Sequence, residues 1–341
     1  MEICVRYCQF FEHNPSLVPR VLENFVRLTH SNHLKVRTRS WYLFLRFVKP
    51  LRSHLGNVSS DVIRAIGDLL VIKAELPDDD ADGEMSSDES EDSSDARFDS
   101  QLNLFEAVGC LSSAASVPVE TRKLYAQSII NPLFADIENH LSPAKGGDKR
   151  AVLQIHHDIM AMGTLAKGFS DWQPTLQGPP APSEVGVGDE FERASEAILA
   201  ALEALKSSME IRSAARFAFA RAIGVLNIRV LQQLPRWIDG LLSPNSTNDE
   251  MVTFLRLLGQ VIYQFKGEIQ GILDTLLSPL LQRIFAGLQE PVTGTDDEIQ
   301  LVELGREYLN FLLLVLNSDL GGIFISSSKL LSPSTPLNIS Y

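Results

Sequence analysis

Apolar side chains recur three and four positions apart along most of this chain, which is the spacing of one face of an α-helix. The stretches with this spacing are residues 18–26, 41–47, 62–70, 104–111, 125–137, 155–165, 191–205, 211–225, 230–242, 251–265, 269–288 and 299–316. Nowhere do apolar and polar residues alternate for long enough to indicate a strand. The pattern therefore predicts an all-α fold.

A basic turn followed by a densely apolar helix, at residues 35–49, has echoes further along the chain at 119–123 and 210–215. Arg37, Arg122 and Arg212 mark these segments at intervals of 85 and 90 residues. Each interval is about two units of the period of roughly 40–47 residues that HEAT-type repeats show. We therefore predict a HEAT-repeat α-solenoid, a superhelix of antiparallel helix pairs, which presents binding surfaces to partners.

The predicted solenoid is interrupted by one segment rich in acidic residues and serine. We assign helical repeats to 1–75 and 101–326, a disordered acidic insert to 76–100 and an irregular tail to 327–341. The insert lacks the apolar residues that would offset the entropy cost of ordering. It is either a solvated loop or a target of an acid-directed kinase, for which Ser86, Ser87 and Ser90 are the candidate phosphorylation sites.

Composition limits the kinds of partner that the chain could bind and the cellular compartment in which we expect it. The net charge is −13, but residues 78–99 carry −10 of it, so the rest of the chain is nearly balanced and an anionic partner is not excluded. Three cysteines in a chain of 341 residues do not form a disulfide framework, which favours the cytosol or the nucleus. The apolar runs are too short for insertion into a membrane.

The chain shows no pattern typical of an enzyme or a cofactor site. It has no phosphate-binding Gly-rich loop and no nucleophile elbow. His156, His157 and Asp158 lack the four-residue His spacing that places two metal ligands on one helix face. We therefore predict no enzymatic activity, no metal and no cofactor.

Basic residues cluster in two places, and both clusters are candidates for contact with nucleic acid. The first cluster comprises Lys35, Arg39, Arg46, Lys49 and Arg52, and the second comprises Lys145, Lys149 and Arg150. Lysine and arginine contact phosphates without reading sequence, which is the functional interpretation of these eight residues. The alternative is a structural role. For Arg37, Arg122 and Arg212 we favour that alternative, as ladder contacts between adjacent repeats.

Five short motifs occur together in the chain. They are V-R-T-R-S at 36–40 followed by Y-L-F-x-R-F-V-K at 42–49, E-x-R-K at 120–123, P-L at 132–133, P-L-L-x-x-I-F at 279–285 and Y-x-x-F-L at 308–312. In combination they resemble the exportin-T family of tRNA export receptors, in the importin-β superfamily. The resemblance extends from residue 1 to about residue 326 and corresponds to a middle-to-C-terminal part of a full receptor.

The resemblance implies a HEAT-repeat superhelix that binds mature tRNA cooperatively with GTP-bound Ran in the nucleus and releases it in the cytoplasm. It also implies shuttling through the nuclear pore, with nucleoporins as further candidate partners and DNA not expected as one. The eight basic residues of the two clusters would then be the tRNA-binding residues. The alternative function is a HEAT-repeat scaffold for protein partners, or a transport receptor for protein cargo.

Overall fold

The computed structural model describes residues 1–76, 94–170, 186–243 and 246–325. The predicted tail at 327–341 and the candidate phosphorylation sites Ser86, Ser87 and Ser90 lie outside the described residues, as does most of the predicted acidic insert.

The end of the predicted insert is helical, which corrects the boundary drawn from composition. A helix begins at Ser94 and contains residues 94–100. Phe98 explains the difference, because this side chain is buried and its ring stacks on the His157 ring with centroids 3.6 Å apart. One aromatic anchor fixes a turn that its acidic neighbours alone would leave exposed.

The all-α prediction is confirmed, since the part of the chain that the structure describes contains helices and no strand. The described α-helices are α1 (Glu2–Arg6), α2 (Cys8–His13), α3 (Val18–Thr29), α4 (Leu34–Leu51), α5 (Ser59–Ala65), α6 (Ser94–Ser112), α7 (Val119–Lys145), α8 (Lys149–Phe169), α9 (Gly188–Ala204), α10 (Met209–Leu226), α11 (Val230–Leu241), α12 (Asn248–Phe265), α13 (Gln270–Leu288) and α14 (Thr295–Asn317). No helix among the described residues is long and apolar enough to cross a membrane.

The chain divides into two compact units, and helices stack in layers within the first. Of the described residues, that unit contains those up to Val230, and the second contains those from Leu231 onward. In the first unit α4, α6, α8 and α10 lie side by side and form what we call the even-helix layer. Helices α7 and α9 pack together in a second layer, and α3–α4, α7–α8 and α9–α10 pack as hairpin pairs. This is the HEAT-repeat type of α-solenoid.

Close backbone contact holds the even-helix layer together. A Cβ atom added to Gly168 of α8 would lie 2.3 Å from the Glu106 carbonyl oxygen of α6, and one added to Gly163 would lie 2.8 Å from Ala218 Cα of α10. Larger residues at either position would push the helices apart. Glycine is therefore required at both crossings.

The second unit contains helices α11 to α14. Helix α12 packs against α14, and α13 packs against the same helix. Thr247 and Glu250 form a capping box at the start of α12, where each side chain accepts a hydrogen bond from the backbone of the other residue. Arg256 on α12 forms ion pairs with Glu303 and Glu307 on α14, which links the two helices through charge as well as apolar packing.

The interpretation of the arginine spacing as a repeat register is wrong. Arg37 lies on α4 and Arg212 on α10, both in the even-helix layer, whereas Arg122 lies on α7 in the other layer. The three arginines therefore do not occupy equivalent positions of a repeat. The helix pairs begin at irregular intervals, because α7 and α8 are longer than α3 and α5.

Two of the three arginines make structural contacts to backbone carbonyls, whereas the predicted ladder contacts between adjacent repeats stay a prediction. Arg122 donates hydrogen bonds to the carbonyl oxygens of Ala114, Ala115 and Val117, in the turn between α6 and α7. The buried Arg212 donates to the Lys206 carbonyl oxygen at 2.6 Å. Both arginines bind the segment that precedes their own helix. Arg37 instead lies over the Trp41 ring, 5.9 Å from its centroid.

Candidate nucleic-acid interface

The first basic cluster lies along one face of α4. At about 100° per residue, positions 35, 39, 42, 46 and 49 fall within about 80° of one another around the helix axis. Lys35, Arg39, Tyr42 and Arg46 are exposed on this face and Lys49 is half-buried. The opposite faces are apolar and buried. Burial of that apolar side leaves the basic side toward solvent, and we call these five residues the α4 stripe.

The cations of the α4 stripe differ in what they contact. Arg39 Nη2 lies 2.8 Å from Glu2 Oε1 on α1, and its guanidinium lies 5.3 Å from the centroid of the Tyr42 ring. Lys35 and Arg46 form no ion pair with any residue that the structure describes. The fifth member of the first cluster, Arg52, lies half-buried in the 3-10 turn Arg52–His54 that follows α4. Lys35 and Arg46 are therefore the most available for an external anion.

Glu106 of α6 gathers basic side chains from its neighbours in the even-helix layer. Lys49 Nζ of α4 lies 3.0 Å from Glu106 Oε1, and Lys167 Nζ of α8 lies 2.7 Å from Glu106 Oε2. The Glu106 side chain is only 7% exposed, whereas those of Lys49 and Lys167 are 39% and 29% exposed. The carboxylate thus lies beneath the surface and the two ammonium groups lie above it. Its position between α4 and α8 fixes the separation of the two lysines.

Arg221 of α10 extends this arrangement to a fourth helix. Its guanidinium lies 3.3 Å from the centroid of the Phe217 ring, and its Nη1 donates to the Phe217 carbonyl oxygen at 2.9 Å. Burial lowers the pKa of Arg221 from its usual value, while the charge of Glu106 acts in the opposite direction. Three cations around one carboxylate leave two net positive charges. We call Lys49, Lys167 and Arg221 the cationic row.

The opposite end of the even-helix layer carries charges of both signs, since α4 and α8 start with Lys35 and Lys149 whereas α6 and α10 start with acidic residues. Asp95 and Asp99 lie in the first turns of α6, and Glu210 lies in the first turn of α10. Their charges act on His156 of α8, whose pKa is lowered by burial and raised by these three carboxylates, with burial the larger effect. Acids near helix starts and bases near helix ends suit the helix dipoles.

The second basic cluster serves structure in part. Lys145 ends α7 and Lys149 begins α8, and both are exposed. Arg150 is also exposed, but its Nε donates to the Ala74 carbonyl oxygen at 3.0 Å and thereby holds the extended segment after α5. Asp148 caps α8 by accepting hydrogen bonds from the backbone of Arg150 and Ala151. Lys145 and Lys149 therefore remain the candidates for phosphate contact in this cluster.

The sequence-based list of candidates included Lys49 but not Lys167 or Arg221. These residues are isolated basic positions in apolar helices, so a search for clusters along the chain does not find them. A usable signal was their place in the helices, since Lys49, Lys167 and Arg221 all lie near the C-terminal ends of α4, α8 and α10. Within the described residues, no group of three or more His, Cys, Asp or Glu side chains could hold a metal ion.

The stacked helix pairs and the cationic row define a helical-repeat protein with a basic surface. A family model, Exportin-T, matches residues 1–332 of this chain. The chain is 62% identical over 329 residues to Exportin-T of Phaeosphaeria nodorum, 62% over 327 residues to Exportin-T of Aspergillus oryzae and 59% over 329 residues to Exportin-T of Podospora anserina. The chain therefore belongs to the exportin-T family.

These alignments cover 96% of this chain but only 32% of each of the three relatives. The chain thus spans about a third of the length of the curated relatives it matches.

Proposed function

We propose that this chain is part of a nuclear export receptor for tRNA, and that the even-helix layer contributes to the surface that holds the tRNA. The observation that carries the proposal is the cationic row. One buried carboxylate, Glu106, forms ion pairs with Lys49 and Lys167, and its charge also acts on Arg221 of a third basic helix. The α4 stripe adds exposed Lys35 and Arg46 on a helix of the same layer. Family membership supports the receptor class.

The chemistry of RNA favours this surface. An A-form RNA helix is recognised mainly by its shape, its phosphates and its 2′-hydroxyl groups, because its deep major groove does not admit side chains. Fixed ammonium groups supply phosphate contacts without reading bases, which suits a receptor for many tRNAs of one shape. Tyr42, exposed in the middle of the α4 stripe, offers an aromatic face to an unstacked base. The proposed activity is binding alone, with no catalytic step and no cofactor.

The proposal includes GTP-bound Ran as the second ligand and release of tRNA in the cytoplasm, with shuttling through the nuclear pore and nucleoporins as further partners. Small rotations between repeats allow a stacked array to close around its ligands. Each ligand then stabilises the closed arrangement that the other binds, which makes the two affinities reciprocally coupled. We also propose that the helical repeats before and after the acidic insert, the latter beginning with α6 at Ser94, act as one array.

A double substitution in the cationic row tests the proposed interface. Lys49→Gln with Lys167→Gln removes two charges while keeping long polar side chains above Glu106. We expect tRNA affinity to fall and its salt dependence to weaken, with the slope of log K against log salt less steep by about 1.5. Fluorescence titration of labelled tRNA, at salt concentrations from about 50 to about 200 mM, measures both the affinity and the salt slope.

The matched control is Lys123→Gln on α7, because this lysine lies outside the even-helix layer and pairs with Glu120. The control should keep the salt slope of the unsubstituted chain. If the double variant kept the tRNA affinity and the salt slope unchanged, the cationic row would not be part of the tRNA interface.

A protein-scaffold function is the second candidate, favoured by one observation on the second unit. Helix α14 exposes the apolar side chains Ile299, Val302, Leu309, Leu313 and Leu316, each more than half exposed. An apolar helix face of this length is typical of a protein contact. If this function were the correct one, the chain would bind protein ligands with no salt-dependent affinity for tRNA.

A further inference from the structure

A cleft of about 480 Å³ lies between α5 and α7, away from the cationic row. Its walls are mainly apolar, and they come from α5, from the segment that follows it, from α6 and from α7. The wall residues are Ile63, Leu70, Ile72, Phe105, Ile129 and Leu133. At its floor lie two carboxylates, Asp136 of α7 and Asp158 of α8. A cleft with apolar walls and a charged floor has the general character of a ligand site.

Asp158 makes no well-formed hydrogen bond, although the Gln154 side chain lies close to it. The residue is fully buried, and neither of its carboxylate oxygens accepts a hydrogen bond from any residue that the structure describes. Its neighbour Asp136 is better satisfied, since Asp136 Oδ2 accepts from Gln154 Nε2 at 2.6 Å and Oδ1 lies 3.2 Å from His140 Nδ1. A buried, charged carboxylate without a well-formed hydrogen bond is costly, so either a proton or a cation must compensate it.

The other charged groups around the cleft do not neutralise the floor. Arg64 of α5 lines the cleft, but its Nη1 lies 3.4 Å from Asp61 on the same exposed helix face. His140 pairs with Asp136 and does not line the cleft, and α6 contributes only Phe105 to the lining. Burial, and then the charge of Asp136, raises the pKa of Asp158 well above its usual value, while the nearby Gln154 side chain acts in the opposite direction. The floor thus holds either a shared proton or a cation.

We propose that this cleft binds the cationic end of an arginine or lysine side chain from a partner polypeptide. The aliphatic stem of such a side chain packs along the apolar walls, and its charged end reaches the two carboxylates at the floor. A guanidinium group suits the floor best, because its planar donors can serve Asp136 and Asp158 at once. The bound cation replaces the shared proton. The site is distinct from the cationic row and takes a ligand of opposite charge to tRNA.

The test uses two small probes of nearly equal shape with the 341-residue chain. Nα-acetyl-L-arginine amide carries the guanidinium, and Nα-acetyl-L-citrulline amide replaces it with an uncharged urea group. Isothermal titration calorimetry at pH 7.5 and 6 measures both, and we expect the arginine probe to bind at least about tenfold more tightly than the citrulline probe. Its affinity should rise with pH, because the cation competes with the shared proton.

Substitution of the floor completes the test. Asp158→Asn should lower the affinity for the arginine probe at least about tenfold while keeping the shape of the side chain. Glu138→Gln, on the exposed surface of α7, is the control of equal charge change and should have no effect. If Asp158→Asn fails to fold, Asp136→Asn at the half-buried position provides the same comparison.

Four results would overturn the proposal. They are no binding of the arginine probe, equal binding of the two probes, unchanged affinity in the floor variants, and tighter binding of spermidine than of the arginine probe. The last would assign the cleft to a free polyamine in place of a polypeptide side chain.

Discussion

Glu106→Gln should destabilise the protein and at the same time strengthen its binding of tRNA. In the folded chain this carboxylate accepts from Lys49 at 3.0 Å and from Lys167 at 2.7 Å, and its charge also acts on Arg221. Glutamine keeps the size of the side chain and one acceptor oxygen, but it removes the negative charge. The net charge of the cationic row and its carboxylate then rises from +2 to +3.

The loss of stability follows from the two ion pairs. A hydrogen bond to a charged group contributes about 1.5–3 kcal/mol when buried. Lys49 and Lys167 are 39% and 29% exposed, so both ammonium groups regain water when Glu106 is removed, and the contribution must be reduced accordingly. We therefore expect a decrease of about 1–3 kcal/mol in the free energy of unfolding. Urea denaturation followed by circular dichroism measures it.

The gain in tRNA affinity follows from the additional net charge. One unit charge about 6 Å from a phosphate contributes roughly 0.7 kcal/mol in water, which corresponds to about a threefold increase in affinity. The slope of log K against log salt should become more negative by about 0.7–0.9. Fluorescence titration of labelled tRNA at several salt concentrations measures both effects.

The control is Glu120→Gln on α7, where an exposed glutamate pairs with Lys123. It makes the same chemical change outside the even-helix layer and should leave both stability and tRNA affinity unchanged. Weaker tRNA binding by Glu106→Gln, at a stability that keeps the chain folded, would refute the reasoning. So would an unchanged salt slope.

Three further predictions concern stability, each measured by urea denaturation. Burial raises the pKa of Asp158, so the stability that its proton contributes is present at low pH and is lost as pH rises through the folded-state pKa. Asp158→Asn removes this titration and should therefore flatten the fall in the free energy of unfolding toward neutral pH. Arg122→Ala removes the donors to three carbonyl oxygens and should cost about 1–3 kcal/mol, whereas Arg20→Ala on exposed α3 should cost little. Gly168→Ala should destabilise by about 1–3 kcal/mol through overpacking, whereas Gly67→Ala, with open space around it, should not.

Much of the fold follows from the sequence, because helices with buried faces have apolar residues at a fixed spacing. The helical stretches marked by that spacing all lie in or overlap described helices or 3-10 turns. The arrangement of these helices in layers was harder to predict from the sequence. Arg37, Arg122 and Arg212 look like a repeat register along the chain, but α7 belongs to a different layer from α4 and α10. Because the helices differ in length, equal intervals along the sequence do not mark equivalent positions of a repeat.

The candidate interface was predicted only in part, and distance along the chain is the reason. Lys49 and Glu106 are 57 residues apart, and Glu106 and Lys167 are 61 apart, so no local pattern shows that they meet. Arg150 was a candidate for phosphate contact from its position beside Lys149, yet it donates to the Ala74 carbonyl oxygen 76 residues away. Phe98 likewise anchors a turn whose composition indicated disorder. In each of these three cases the deciding contact joins residues that are far apart in the sequence.

The most direct test of the central claim is a titration of labelled mature tRNA with this chain, at low and at physiological salt, with and without GTP-loaded Ran. We predict binding that weakens steeply as salt rises and strengthens when GTP-loaded Ran is present. Salt-sensitive binding that is indifferent to Ran would contradict the proposed coupling. No salt-sensitive binding of tRNA under any of the four conditions would contradict the proposal that the even-helix layer contributes to a tRNA surface.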